Sequence, residues 1–146
     1  MNRVNYFFED VKNCKHQLPA KYWIKQCVFK ENRDLGCLNF IFCSDKYLQS
    51  INQKYLKKTY LTDVISFKHT PPKTILNNKD NAIFGDVFIS IERVKENKIT
   101  YKTIFAKELQ RVMIHGVLHL IGYKDSSEKE KAVMRKKENN YIKLLK

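Results

Sequence analysis

At 146 residues the chain suits one domain with a real core and is too short for two. Its 28 Lys and Arg outnumber 15 Asp and Glu, for a formal charge of +13. Such a surplus suits a partner bearing phosphates, since each cation set on a phosphate releases counterions, although a well-solvated lysine-rich surface is the plainer reading. No stretch approaches the ~20 apolar residues of a membrane span.

The N-terminal "MNRVNYFFED" has no apolar run or cleavage site of a secretion signal, so a cytoplasmic location is expected. Within it "VNYFF" (4–8) predicts a short strand. "PAKYWIKQCVFKEN" (19–32) predicts a helix with Pro19 in its first turn and a stripe of Tyr22, Ile24, Val28 and Phe29. "CLNFIFCS" (37–44) alternates Leu38, Phe40 and Phe42 with its neighbours, as a strand does. Ser44 or Asp45 is placed to cap the helix "KYLQSINQKYL" (46–56). "DVISF" (63–67) is a third strand, residues 68–82 a loop rich in Pro, Asn and Lys, and "IFGDVFISI" (83–91) a fourth strand.

Residues 92–121 read as helix with a break at "NKIT" (97–100), and the tail from Ser126 reads as a final amphipathic helix. Cys14, Cys27, Cys37 and Cys43 form no C-x-x-C pair, so reduced, structural thiols are expected. Strands gathered early and helices late imply an α+β single domain over residues 1–146, with helices packed on a small mixed four-stranded sheet.

The helix around residue 115 is apolar nearly all round. At 100° per residue, Glu108, Arg111, His115, His119 and Gly122 fall in a stripe roughly 80° wide. Burying such groups unpartnered costs about 1–3 kcal/mol each, so a pocket, a metal or a hydrogen-bond network must receive them. A lone histidine there would most simply be a satisfied core residue. Two at i and i+4, with Cβ atoms ~6 Å apart, suit two ligands of one ion. Gly122 can turn the chain so that Asp125 supplies a third ligand, and H-x-x-x-H-x-x-G-x-x-D is a frame for zinc with one position left for water. Asp125 as the cap of the last helix is the rival reading. Gly116 stands where H-E-x-x-H enzymes carry their general base, which argues against a peptidase and suggests a groove left open to a bulky substrate. The deaminase signature H-x-E with P-C-x-x-C is absent.

Taken with "LTDVISF" (61–67) and "FGDVFIS" (84–90), the run "HGVLHLIGYKD" (115–125) resembles the YbeY family of bacterial endoribonucleases. The likeness covers roughly residues 36–125. It implies a zinc-bearing central helix with Zn²⁺ on His115, His119 and Asp125, one ion per chain. It also implies hydrolysis of single-stranded RNA in 16S rRNA 3′-end maturation and ribosome quality control. Partners would then be an rRNA precursor and the ribosomal small subunit or its assembly proteins.

Two departures from the family pattern stand out. Many members read G-Y-D-H where this chain has "GYKD", which makes the third ligand a carboxylate. Many carry arginine where this chain has Leu56, so Lys57 or Lys58 would serve the phosphate as point charges. Arg111 is a candidate for phosphate contact or for anchoring a carboxylate behind the metal; an ion pair with Glu108 or Asp86 is the structural alternative. Arg111 and Lys57 are thus the candidate catalytic cations. Lys54, Lys57, Lys58 and Lys68 are candidate RNA contacts, with Tyr55, Tyr60 and Phe67 near them for stacking. The competing function is a non-catalytic RNA- and ribosome-binding assembly factor with a structural zinc.

Overall fold

Two alternating segments build the centre of a four-stranded sheet, and their parity decides what packs on each face. The computed structural model describes residues 3–58, 62–70 and 81–145. Along the chain run β1 (Arg3–Phe8), α1 (Lys21–Lys30), β2 (Asp34–Cys43), α2 (Asp45–Leu56), β3 (Val64–Lys68), β4 (Ala82–Ser90), α3 (Ile91–Thr100), α4 (Phe105–Ile121) and α5 (Glu128–Ile142). The strand order is β1-β2-β4-β3, with β3 antiparallel to β4 and the other pairs parallel, as a mixed α+β sheet requires.

Leu38, Phe40 and Phe42 of β2 and Ile83, Val87 and Ile89 of β4 are fully buried on one face, under Trp23, Ile24 and Val28 of α1 and the apolar side of α4. The opposite face carries Ile65, Phe67 and Phe88 and is covered by Tyr47, Leu48 and Ile51 of α2. Thus α2 and α4 lie on opposite sides of the sheet. Trp23 Nε1 donates to the Tyr141 carbonyl at 2.8 Å and ties α1 to α5. The four cysteines are free thiols, and burial pushes those of Cys27 and Cys43 up to about 12. No helix among the described residues is long and apolar enough to cross a membrane.

Several boundaries differ from expectation. α1 starts at Lys21 behind an extended Ala20, so Pro19 lies outside it, its carbonyl accepting from Tyr6 Oη at 3.1 Å. The buried face of α1 is Trp23, Ile24, Cys27 and Val28, whereas Tyr22 and Phe29 are 68% and 75% exposed. At 100° per residue those two point away from the sheet. β2 begins at Asp34, ahead of a register shift between Leu35 and Cys37 that breaks its alternation. The break between α3 and α4 falls at residues 101–104, after NKIT. Asn97 stays helical because its side chain holds Asp63 (3.1 Å) and Glu108 (3.3 Å), and the turn comes where Lys102 takes φ 52°.

Ser44 is the cap of α2, accepting from the Tyr47 N–H at 3.1 Å, while Asp45 forks onto Arg93 Nε. Ser127 and Glu130 form a capping box at the start of α5. That removes the reading of Asp125 as a helix cap and leaves its carboxylate available to α4.

Candidate metal centre

α4 buries Leu109, Val112, Met113, Ile114, Val117 and Leu118 and leaves its polar stripe facing α5 and the turn after Gly122. Gly122 has φ 126°, a conformation L side chains rarely adopt, and its N–H donates to the Leu118 and His119 carbonyls at 3.1 Å each. The Tyr123 N–H also bonds the Leu118 carbonyl, at 3.0 Å. The chain reverses there and brings Asp125 back over the helix.

Three donor atoms then converge. His115 Nε2 lies 3.0 Å from His119 Nε2, and Asp125 Oδ2 lies 3.2 and 3.4 Å from the two nitrogens. A tetrahedral ion with bonds of ~2.0–2.1 Å needs its ligand atoms ~3.3–3.4 Å apart, so the N₂O triangle fits a zinc-sized ion. The outer ring nitrogens are committed elsewhere. His115 Nδ1 donates to Glu138 Oε2 at 2.5 Å and His119 Nδ1 to the Tyr123 carbonyl at 2.9 Å. Both bonds fix the tautomer that leaves Nε2 free to ligate. Burial opposes protonation of His115, but the Glu138 bond, with Asp63 and Asp125 nearby, holds its pKa above the ordinary imidazole value.

Glu138 is buried on α5, and Arg111 supplies its counter-charge at 3.4 Å. Arg111 also holds buried Glu108 through Nε (3.0 Å) and through Nη2, and reaches Asp63 at 3.9 Å. Burial alone would weaken that charge, but Glu108, Glu138 and Asp63 keep the guanidinium pKa above its norm. Of the two expected pairings for Arg111, the one with Glu108 is present. Asp86 instead bonds His69 (2.8 Å) and Asn39 (2.9 Å) across the sheet.

On the open side, Asp125 is 43% and His119 30% exposed. A cavity of about 190 Å³ there is lined by Arg111, His115, Asp125, Lys131, Arg135 and Glu138, among others.

Gly116 does not border this opening. It is buried against the sheet, where an added Cβ would come within 2.5 Å of Val87 Cγ1 and 3.1 Å of Val64 Cγ2. Its carbonyl accepts from Ser66 Oγ at 2.9 Å. Its small size serves helix–sheet contact, not substrate access.

Lys54 and Lys57 belong to the α2 side. Lys54 Nζ sits 5.3 Å from the Tyr55 ring centre, and exposed Lys57 ends α2 in the left-handed conformation at φ 55°. Lys58 follows and is exposed. Lys68, at the end of β3, lines a cavity of about 490 Å³ with Tyr47, Tyr55, Phe67, His69 and Phe88. Tyr55 and Phe67 meet edge to face at 5.8 Å, so Phe67 is a packing residue. Tyr60 lies outside the described residues.

Three contributors escaped the sequence reading. Glu138 was signalled only as an acid on the buried line Met134–Glu138–Tyr141. The Tyr123 carbonyl has no side-chain signature. Glu31, 6% exposed, accepts from Tyr123 Oη (2.6 Å), Lys137 Nζ (3.0 Å) and Tyr141 Oη, and so anchors the turn that carries the His119 acceptor.

Residues 8–146 match the family described as Endoribonuclease YbeY. The chain is 48% identical to the Endoribonuclease YbeY of Karelsulcia muelleri, over 98% of this chain and 96% of that one. It is 40% identical to that of Christiangramia forsetii, over 97% and 93% of the two chains. Its fold resembles the solution structure of TM1509 from Thermotoga maritima, with a TM-score of 0.64 and 26% identity over 97% of this chain and 87% of that one.

Proposed function

This chain belongs to the YbeY endoribonuclease family, and from that premise we propose that it hydrolyses single-stranded RNA with one zinc ion held by His115, His119 and Asp125. The same reading gives it a cytoplasmic role in 16S rRNA 3′-end maturation and ribosome quality control, with an rRNA precursor and small-subunit or assembly proteins as partners.

The observation that carries the proposal is the donor triangle with one open side: three ligand atoms within 3.4 Å of one another beside a solvent-facing cavity. A zinc that only closed the fold would call for a fourth protein ligand or a buried ion. Among the described residues only these three donors converge. Bound there, zinc supplies Lewis acidity to a phosphodiester and to water.

The protein's own groups do the rest. Glu138 and the Tyr123 carbonyl hold both imidazoles with Nε2 pointed at one centre. Arg111 is a positioning residue in this reading, since its guanidinium is occupied by Glu108 and Glu138 and acts on the site through Glu138. The Asp125 carboxylate completes the set and lowers its net positive charge. Gly116 carries no base, which an H-E-x-x-H peptidase would need, and cations near the site can offset the charge that develops on a phosphodiester. Lys57 and Lys58 stand six and five residues before Asp63, which reaches Arg111, and we assign them to the strand's approach from the α2 side, with Lys54 and Lys68 farther along that surface.

The test is metal analysis of the purified protein with cleavage of a fluorescent single-stranded RNA. About one zinc per chain is expected, and His119→Ala loses both metal and cleavage. Full cleavage by metal-free His119→Ala protein would overturn the zinc-dependent reading of this site; zinc retained with no cleavage under any condition would favour the assembly-factor reading.

A further inference from the structure

Next to the cavity at the metal centre lies a second, larger one that none of Lys54, Lys57, Lys58 and Lys68 lines. It measures about 410 Å³ and lies between the α3–α4 turn, α4 and the end of α5, with Tyr101, Lys107, Arg111, Arg135, Asn139 and Lys143 in its lining. That volume is within the range of small-ligand sites, ~300–1,000 Å³. It shares Arg111 and Arg135 with the cavity beside the donor triangle, so the two spaces are neighbours.

Its charge is one-sided. Four cations line it against one carboxylate, Glu108, which is buried and already bound by Arg111. With Arg111 committed to Glu108 and Glu138, the available positive charge comes from Lys107, Arg135 and Lys143. Lys107 and Lys143 are exposed and have no ionic partner among the described residues. Arg135 is 57% exposed and makes one long pair, 3.8 Å to Glu138. Cations gathered in a concave space focus a positive potential that draws anions in.

The fourth element is aromatic. Tyr101 is 55% exposed, and its ring lies 5.8 Å from the Arg111 guanidinium carbon. Its backbone N–H bonds the Asn97 carbonyl at 2.9 Å, and the Asn97 side chain grips Asp63 and Glu108, which sets where the chain presents the ring. An exposed ring beside lysines and an arginine is the combination that holds single-stranded nucleic acid, because stacking accepts any base and cations follow the backbone.

We infer that this cavity is a subsite for the substrate strand flanking the cut, with Lys107, Arg135 and Lys143 on backbone phosphates and Tyr101 stacking a base. The inference rests on the endoribonuclease reading for the nature of the strand, and it adds a track on the α4–α5 side to the lysines on the α2 side.

The test is fluorescence anisotropy of a labelled single-stranded RNA with the zinc-loaded protein across a series of salt concentrations, with cleavage followed in parallel. Each phosphate contact on a single strand contributes ~0.7 to the slope of log affinity against log salt. The Lys107→Ala/Lys143→Ala variant should therefore lose ~1.4 from that slope. Lys12→Ala/Lys30→Ala removes the same net charge from exposed positions elsewhere and should leave the slope intact. Tyr101→Ala should bind roughly ten-fold more weakly, with Tyr101→Phe restoring affinity.

A slope for Lys107→Ala/Lys143→Ala equal to that of the wild type overturns the subsite, as does an equal loss in the control pair. Binding with the expected slope loss but no cleavage keeps the subsite and sinks the nuclease. Cleavage with an unchanged slope does the reverse, and failure to bind single-stranded RNA at all sinks both.

Discussion

Replacing Gly116 by alanine tests the claim that this glycine serves packing. In a helix interior exposed to open space, Gly→Ala stabilises by about 1 kcal/mol through backbone entropy. Here the new methyl would stand 2.5 Å from Val87 Cγ1, on a fully buried, β-branched side chain with little freedom to turn. Restoring ordinary contact requires α4 to lift from β3 and β4 by about 1 Å or Val87 to leave its rotamer, and overpacking of this kind costs about 1–3 kcal/mol. The two terms oppose each other, and the packing term is the larger. The expected net effect is a loss of about 1 kcal/mol, or roughly 3 °C in Tm for a chain of this size.

Gly116→Glu, which would write H-E-x-x-H into the helix, should not fold stably, because its carboxylate would be driven against Val87 and Val64 without a partner. Urea denaturation of Gly116→Ala, Val87→Ala and the double variant forms a cycle. The double variant should be more stable than the sum of the singles by about 1 kcal/mol or more. Gly116→Ala more stable than the wild type by about 1 kcal/mol, with no coupling to Val87, would refute the reasoning.

The remaining predictions concern the groups behind the metal ligands. Glu138→Gln keeps an acceptor for His115 Nδ1 but removes its charge, so metal affinity should fall by roughly 10-fold or more, read by competition with a chelating dye. Arg111→Met leaves Glu108 and Glu138 buried without their cation and should cost about 3–5 kcal/mol in urea denaturation, with Arg111→Lys restoring only part because one ammonium cannot span both acids. Glu31 governs part of the acid limb of stability. Burial raises its pKa, but hydrogen bonds from Tyr123, Tyr141 and Lys137 outweigh that and hold it below the ordinary 4.5. Its contribution is therefore complete above that unfolded value and lost as pH falls through the lowered folded value. Glu31→Gln should be less stable than the wild type at neutral pH, with the gap closing in acid; a gap that is constant with pH would contradict the assignment.

What the sequence disclosed follows from the range of the interactions involved. The strands were legible because Leu38, Phe40 and Phe42 alternate, and alternation is a property of neighbours. The histidine pair was legible for the same reason, since i and i+4 share a helix face wherever the helix lies. Which face of α4 meets the sheet was not legible, because the helix is apolar nearly all round. Gly116 was accordingly read as bordering the substrate when it borders Val87. The start of β2 was hidden by its register shift, and the end of α3 by Asn97, a residue type that favours turns but is held helical here by two acids from other segments.

The deepest omission, Glu138, shows what a stricter physical reading could have recovered. Two glutamates in this chain sit on apolar helical lines: Glu108 beside Leu109 and Val112, and Glu138 between Met134 and Tyr141. Neither can be buried ionised without a cation, and both are buried. The site helix offers one arginine on its polar stripe, and a guanidinium has five donors arranged to serve two carboxylates at once. Pairing both acids with Arg111 brings α5 against α4 at the level of His115, which sets a carboxylate behind the imidazole. The demand for charge balance in the core thus docks α5 at the height where the metal ligand needs its outer partner. That is why Arg111, read from sequence as a candidate for phosphate contact or for anchoring a carboxylate behind the metal, is better placed for the second, through Glu138.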